Sequence, residues 1–130
     1  MSIELSGVHK GFGTKKILRG LDLEVQEGET VSLVGFSGAG KSLTLKHIVG
    51  LMKPDQGAVR VDGQDIPNLS RDKLFKLRLD MGYVFQFAAL FDSMTIGANV
   101  AMGLRKKGGM TERQIQERVE ESLALVDLAG

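Results

Sequence analysis

The chain has 130 residues, enough for one domain with a buried core. Its 17 basic and 16 acidic residues nearly cancel, which gives neither the electrostatic footprint of a nucleic-acid binder nor a polybasic arm for a membrane surface. Cysteine is absent, so a disulfide framework and a thiolate zinc site are excluded, and no apolar run approaches the ~20 residues of a membrane span.

The first ten residues, MSIELSGVHK, are too polar for a signal peptide, and the expected setting is a soluble, cytoplasmic one. His9 and His47 lack any repeated ligand spacing and read as surface or helix-face side chains rather than a metal site. Ile3 and Leu5 alternate with polar neighbours as in a half-buried strand, and Leu21, Leu23 and Val25 do the same. Glu27-Gly28-Glu29 is a turn. Thr30 to Val34, TVSLV, is a short β-branched apolar run that predicts a strand buried on both faces. A helix is predicted from Lys41 to Met52, closed by Pro54 and Gly57.

Val59 and Val61 resume alternation before an Asp62-Gly63 hairpin turn. Ser70 is placed to cap a short helix through Arg78, and MGYVF, Met81 to Phe85, predicts a second buried strand. Thr111 with Gln114 makes a capping box, after which Ile115, Val119, Leu123 and Val126 form a helical stripe. The pattern is an N-terminal antiparallel sheet, a strand–loop–helix unit and a helical tail. It shows no internal repeat and no linker long enough to separate a pair of domains.

Between the predicted TVSLV strand and its helix lies GFSGAGKS, Gly35 to Ser42, which satisfies G-x-x-x-x-G-K-[ST] at every constrained position. Gly35, Gly38 and Gly40 allow a tight turn that exposes successive backbone N–H groups. Those groups and the positive end of the following helix can wrap phosphates. Lys41 can reach the β- and γ-phosphates, and the Ser42 hydroxyl can ligate Mg²⁺. The strand before and the helix after supply the required context, so the loop is read as a nucleoside-triphosphate site.

The last eight residues, LALVDLAG, also fit a strand ending in Asp127 and a D-x-x-G switch ending at Gly130, as in a GTPase. Against this, Val119, Leu123 and Val126 continue the stripe begun at Ile115, and no N-K-x-D guanine-reading motif occurs. The stretch is better read as the end of the capped helix.

From about residue 3 onward the order of VHKGFG, SGAGKS, LMKPDQGAVRVDGQDI and YVFQ resembles the N-terminal portion of an ABC-transporter ATPase. The resemblance implies an α/β P-loop NTPase core, ABC ATPase-like, with an N-terminal antiparallel β subdomain. It makes residues 1–130 the N-terminal portion of the nucleotide-binding domain. ATP and Mg²⁺ would be held by Phe12 against adenine and by Gly35, Phe36, Ser37, Gly38, Ala39, Gly40, Lys41, Ser42 and Leu43 around the phosphates. Gln86 falls where the family has its Q-loop glutamine, whose amide helps Ser42 hold Mg²⁺ and couples the site to the membrane subunit. Lys41 and Gln86 are the residues implied in catalysis.

KSLTLKHIVGLMKPD and FQFAALFDSMTIGANVAMGLR resemble, more narrowly, the Mla-type or toluene-tolerance ATPases that energise phospholipid transport. Most of the wider family has Thr where this chain has Leu43, which removes a hydroxyl from the α-phosphate region and leaves the backbone N–H. No LSGGQ-like stretch and no apolar run ending in Asp-Glu occurs in these residues, so the resemblance implies a domain truncated before its signature motif. Such a chain is expected to bind ATP without hydrolysing it. The implied partners are an integral membrane permease, docked on the apolar segment from Gln86 to Val100, and a second ATP-binding subunit, a homodimer in the intact family; no nucleic acid is implied. The implied location is the cytoplasmic face of the inner membrane, as a peripheral subunit. The alternatives are a GTPase-like switch protein and a non-catalytic nucleotide-binding module. Because the family places other strands between TVSLV and MGYVF, a soluble form of these residues is expected to rearrange or to oligomerise.

Overall fold

The computed structural model describes residues 1–87 and 89–128. They form two compact units, Met1–Tyr83 and Val84–Gly130. The first unit is built on a four-stranded antiparallel sheet in the order β2-β1-β3-β4, with β1 Ile3–Phe12, β2 Lys15–Val25, β3 Gln56–Val61 and β4 Gln64–Asp65.

β1 and β2 make a long hairpin in which Ile3 faces Val25 and Phe12 faces Lys15. Leu5 and Val8 both point into the core, a spacing of three that simple alternation forbids. The register shifts between them, and Gly7 sits there at φ 56° as a bulge. The Gly7 N–H donates to Asp22 Oδ1 at 2.6 Å, so the extra residue is tied to β2 through a side chain. β3 and β4 are joined by the expected tight turn, with Asp62 at φ 47° and Gly63 at φ 71°.

α1 runs from Lys41 to Ile48, shorter than the expected helix to Met52. Gly50, at φ 69°, ends it. Its N–H donates to His47 O at 3.0 Å while the Leu51 N–H donates to Lys46 O at 2.8 Å, which is the paired closure of a Schellman motif. Pro54 and Gly57 therefore have no role in stopping α1, and Gly57 belongs to β3. A 3-10 turn, Ile66–Asn68, leads to α2, Arg71–Arg78, whose Ser70 cap accepts from the Lys73 N–H as the sequence predicts. Leu5, Val8, Leu18, Ile48, Val59, Val61, Ile66 and Leu77 close the core.

Neither predicted buried strand forms. Residues 30–34 and 81–85 pair with nothing in the sheet, and Val34 and Val84 are 95% and 94% exposed. Their apolar, β-branched content states a preference for burial. A strand also needs a neighbour's N–H and C=O groups, and none of the four strands pairs with these runs.

The second unit is a helical hairpin of α3, Ile96–Lys107, and α4, Glu112–Ala124. Thr95 caps α3 by accepting from the Ala98 N–H, and Gly108 ends it at φ 76°. The Thr111–Gln114 capping box is present in both directions. Arg105 in the last turn of α3 pairs with Glu112 in the first turn of α4, which holds the Glu112 carboxyl below its usual range. Ala101, Ile115 and Val119 are buried between the helices, with Leu123 packed against them. Val126 lies beyond the helix and is 62% exposed, so the stripe ends at Leu123. Leu125 to Asp127 form a turn rather than a strand, which removes the switch reading of Asp127; Gly130 lies outside the described residues.

Candidate functional site

The glycine-rich loop runs from Gly35 to Gly40 and delivers the chain into α1. Gly38 and Gly40 adopt φ 80° and 98°, backbone that a side chain would strain. Gly40 is also packed closely: a Cβ there would stand 2.6 Å from Leu18 Cδ2 and 3.2 Å from Ile17 Cγ2 of β2. The loop end is thus seated on the hairpin. The Ala39 N–H closes a turn on Phe36 O at 3.1 Å. Gly35 faces Ala39, where a Cβ would meet that of Ala39 at 3.2 Å.

Gly40 offers no side chain to cap α1, and the helix has no acidic residue in its first turn. The first-turn N–H groups therefore keep their positive end uncompensated by a local anion. The Lys41 ammonium folds back over the loop and donates to Gly35 O at 2.6 Å and to Phe36 O at 2.9 Å. Ser42, Ser37, Gly38, Ala39 and the 91% exposed Phe36 face solvent, while Leu43 packs on the core. Thr44, buried beneath, donates its hydroxyl to Gly40 O at 3.0 Å and ties the loop to the helix.

Phe12 ends β1 at the hairpin tip and is 50% exposed. Lys10, two residues earlier on the same strand face, holds its ammonium 5.9 Å from the Phe12 ring centre. Asp55 binds this tip three ways. Its Oδ1 accepts from Lys10 Nζ at 2.6 Å, its Oδ2 accepts from the Gly11 N–H at 2.9 Å, and its own N–H donates to His9 O at 2.9 Å. The Lys10 bond first, then the Gly11 N–H, holds the Asp55 carboxyl below the usual range. Beside it opens a cleft of about 360 Å³ bordered by Lys10, Gly13, Lys16, Leu18, Asp55 and Gln56.

In the second unit Gln86 lies in an exposed bend. Phe87, Leu90 and Phe91 are 80%, 56% and 56% exposed, so they are not local core; Ala88 is outside the described residues. Asn99 organises the segment that follows. It accepts from the Phe91 N–H at 2.7 Å and donates to Phe91 O at 3.2 Å and Thr95 O at 3.0 Å.

The sequence profile of the ABC transporter family matches residues 18–130. The chain belongs to that family. It is 41% identical over 130 residues to the probable ribonucleotide transport ATP-binding protein mkl of Mycobacterium tuberculosis strain H37Rv, covering 100% of this chain and 36% of that protein. It is 43% identical over 128 residues to the chloroplast protein trigalactosyldiacylglycerol 3 of Arabidopsis thaliana, covering 98% of this chain and 37% of the relative. The chain thus spans a little over a third of the length of these relatives. Among solved structures, a dimeric ATP-binding cassette in a post-hydrolysis state with ADP and Pi matches with a TM-score of 0.86 and 35% identity, over 96% of this chain and 57% of that one. The fold is accordingly that of a portion of the ABC ATPase cassette, α/β with an N-terminal antiparallel sheet.

Three residues of this ABC-type chain escaped sequence reading. Asp55 and Asn99 act through hydrogen bonds to residues 44 and 8 positions away, which no local pattern records. His47 lies on a face of α1, one of its two expected placements, and that face is fully buried rather than at the surface. Its Nδ1–H donates to Leu43 O at 2.6 Å, and Nε2 has no partner among the described residues.

Proposed function

We propose that residues 35–43 together with Phe12 bind Mg-ATP and form one nucleotide-binding face of an ABC transporter's ATP-binding subunit. The observation that carries this reading is the Lys41 ammonium, 2.6 Å from Gly35 O, at the mouth of a glycine-hinged loop that opens an uncapped helix. A phosphate in that mouth would meet the Lys41 cation and the helix N–H groups together. Lys41 takes the β- and γ-phosphates, the Leu43 N–H stays available near the α-phosphate, and Phe12 offers a ring face to adenine. Ser42 would hold Mg²⁺, which when bound would neutralise developing charge on the phosphoryl oxygens, and Gln86 is given its share of that role by the family resemblance alone. Loop residues that are already turned cost little further ordering when the triphosphate arrives.

The intact protein is proposed to couple ATP hydrolysis to transport from the cytoplasmic face of a membrane, working as a pair of such subunits on an integral membrane permease. One relative's name states ribonucleotide transport, and the other's carries the name of a galactolipid. Phospholipid is the cargo favoured here, on the Mla-type character of KSLTLKHIVGLMKPD and the following FQFAALFDSM.

Titration of the purified chain with Mg-ATP and Mg-GTP should show a preference for ATP; equal affinity would argue for a switch protein. A steady-state phosphate-release assay on residues 1–130 alone should stay at background, since no Asp-Glu pair after an apolar run and no LSGGQ-like stretch occur in them. Release that disappears in Lys41→Ala would show that the catalytic groups have been misread. The same assay with a full-length partner subunit distinguishes a non-catalytic module, which would add no turnover. Exposed Phe87, Leu90 and Phe91 make the proposed docking surface for the permease. A photocrosslinker at position 87 in native membranes should capture an integral membrane protein. Capture of soluble proteins alone would count against this surface.

A further inference from the structure

We propose that Asp55 is a positioning residue for the nucleobase platform, fixing Phe12 through Lys10 and Gly11; the proposal rests on the reading of Phe12 as the adenine contact. The geometry of the sheet gives Asp55 this task. β1 is flanked by β2 and β3 only as far as His9, which faces Gln56, the first residue of β3. Beyond that point Gly11 and Phe12 have a strand on one side alone. Asp55 stands immediately before Gln56 and continues the missing ladder: its own N–H takes His9 O and its carboxylate takes the Gly11 N–H. A side chain thus replaces the strand that ends there.

The second carboxylate oxygen reaches Lys10 Nζ at 2.6 Å, and that ammonium lies 5.9 Å from the centre of the Phe12 ring. Lys10 stands over one face of the half-exposed ring. The Lys10 side chain is only 15% exposed, so it is held rather than sampling solvent. An ion pair whose carboxylate is half exposed adds little to stability, and the consequence of this one is placement. Asp55 also lies on the segment that returns from α1, whose N-terminus carries the phosphate loop, while Gly40 of that loop sits on Leu18 of the hairpin. The hairpin is therefore touched by Gly40 just before α1 and by Asp55 on the segment after it. A small tilt of the hairpin tip would spoil stacking without disturbing the phosphates.

The test compares Mg-ATP with Mg-tripolyphosphate, which has the phosphates and no base, by calorimetric titration of the purified chain. Asp55→Asn keeps an acceptor for the Gly11 N–H and removes the charge that holds Lys10. It should weaken ATP about 5- to 10-fold, a loss the size of a misplaced aromatic contact, and leave tripolyphosphate unchanged. Lys10→Met should do the same, which keeps the test open if Asp55→Asn folds poorly. Combined with Phe12→Ala, either change should add no further loss. An equal loss of ATP and tripolyphosphate affinity, or losses that add to that of Phe12→Ala, would overturn the proposal and leave Asp55 a structural residue. If Phe12→Ala lowers ATP affinity while both Asp55→Asn and Lys10→Met leave it unchanged, the positioning role alone fails. If Phe12→Ala itself spares the ATP preference, the adenine reading fails and the proposal goes with it.

Discussion

Replacing Lys41 by alanine is expected to weaken Mg-ATP binding by about 3 kcal/mol, on the order of a hundredfold in Kd. The ammonium now donates to Gly35 O and Phe36 O, two carbonyls of the loop it would serve. Neutral carbonyls are weaker partners than a triphosphate, so the side chain gains by exchanging them for phosphate oxygens when the nucleotide enters. Its removal takes away the one full positive charge within the loop and leaves only helix and backbone dipoles. Stability should hardly change, because both carbonyls lie at exposed positions where water can replace the lost donor. Isothermal titration beside a thermal melt separates the two effects. An unaltered titration would remove Lys41 from the phosphate site, whereas a collapsed melt would assign it to holding the loop shut.

The turn of the glycine-rich loop and the helix it opens were legible because both are local. The glycines at 38 and 40 must turn the chain through left-handed backbone, and Lys41 must follow at a fixed offset, so spacing alone carries the information. The caps at Ser70 and Thr111 and the Asp62-Gly63 turn were readable for the same reason, since each rule spans three or four residues. The apolar runs at 30–34 and 81–85 were misread because hydrophobicity records a need for cover and says nothing of which backbone supplies the ladder. The burial of His47 was not legible because one polar side chain on an amphipathic helix looks the same whether its face meets water or core. Only the surrounding packing, which leaves it no exposed surface, decides. Gly57 shows the limit most sharply. It resembles a helix terminator after Pro54, and its true constraint comes from a carbonyl fifty residues earlier.

Gly57→Ala is expected to destabilise the first unit by about 3–5 kcal/mol, near the top of the range for one substitution. Two effects combine, and their sizes differ. Gly57 adopts φ 90°, a conformation costing a residue with a Cβ about 1–3 kcal/mol. In addition, the new Cβ would run into Gly7 O and come within 2.5 Å of Gly7 C and Ser6 O. All three are backbone atoms of the β1 bulge, so no rotamer change can relieve the clash. Either the bulge flattens, which would carry Leu5 or Val8 off the core face, or β3 peels away from β1 near Gln56. The second course would loosen Val59 and Val61, both fully buried two and four residues along. Gly63→Ala separates the terms, because Gly63 has a comparable φ of 71° and nothing within 4 Å of an added Cβ. It should lose only the backbone share, about 1–2 kcal/mol. Denaturant midpoints measured at unchanged m-value give both numbers. Equal losses in the two variants would mean that the bulge yields freely and that the close approach of β3 to Gly7 carries no energy of its own. A larger loss in Gly57→Ala, accompanied by weaker ATP binding and undiminished tripolyphosphate binding, would instead trace the strain along β3 to the adjoining Asp55 and the hairpin tip it holds.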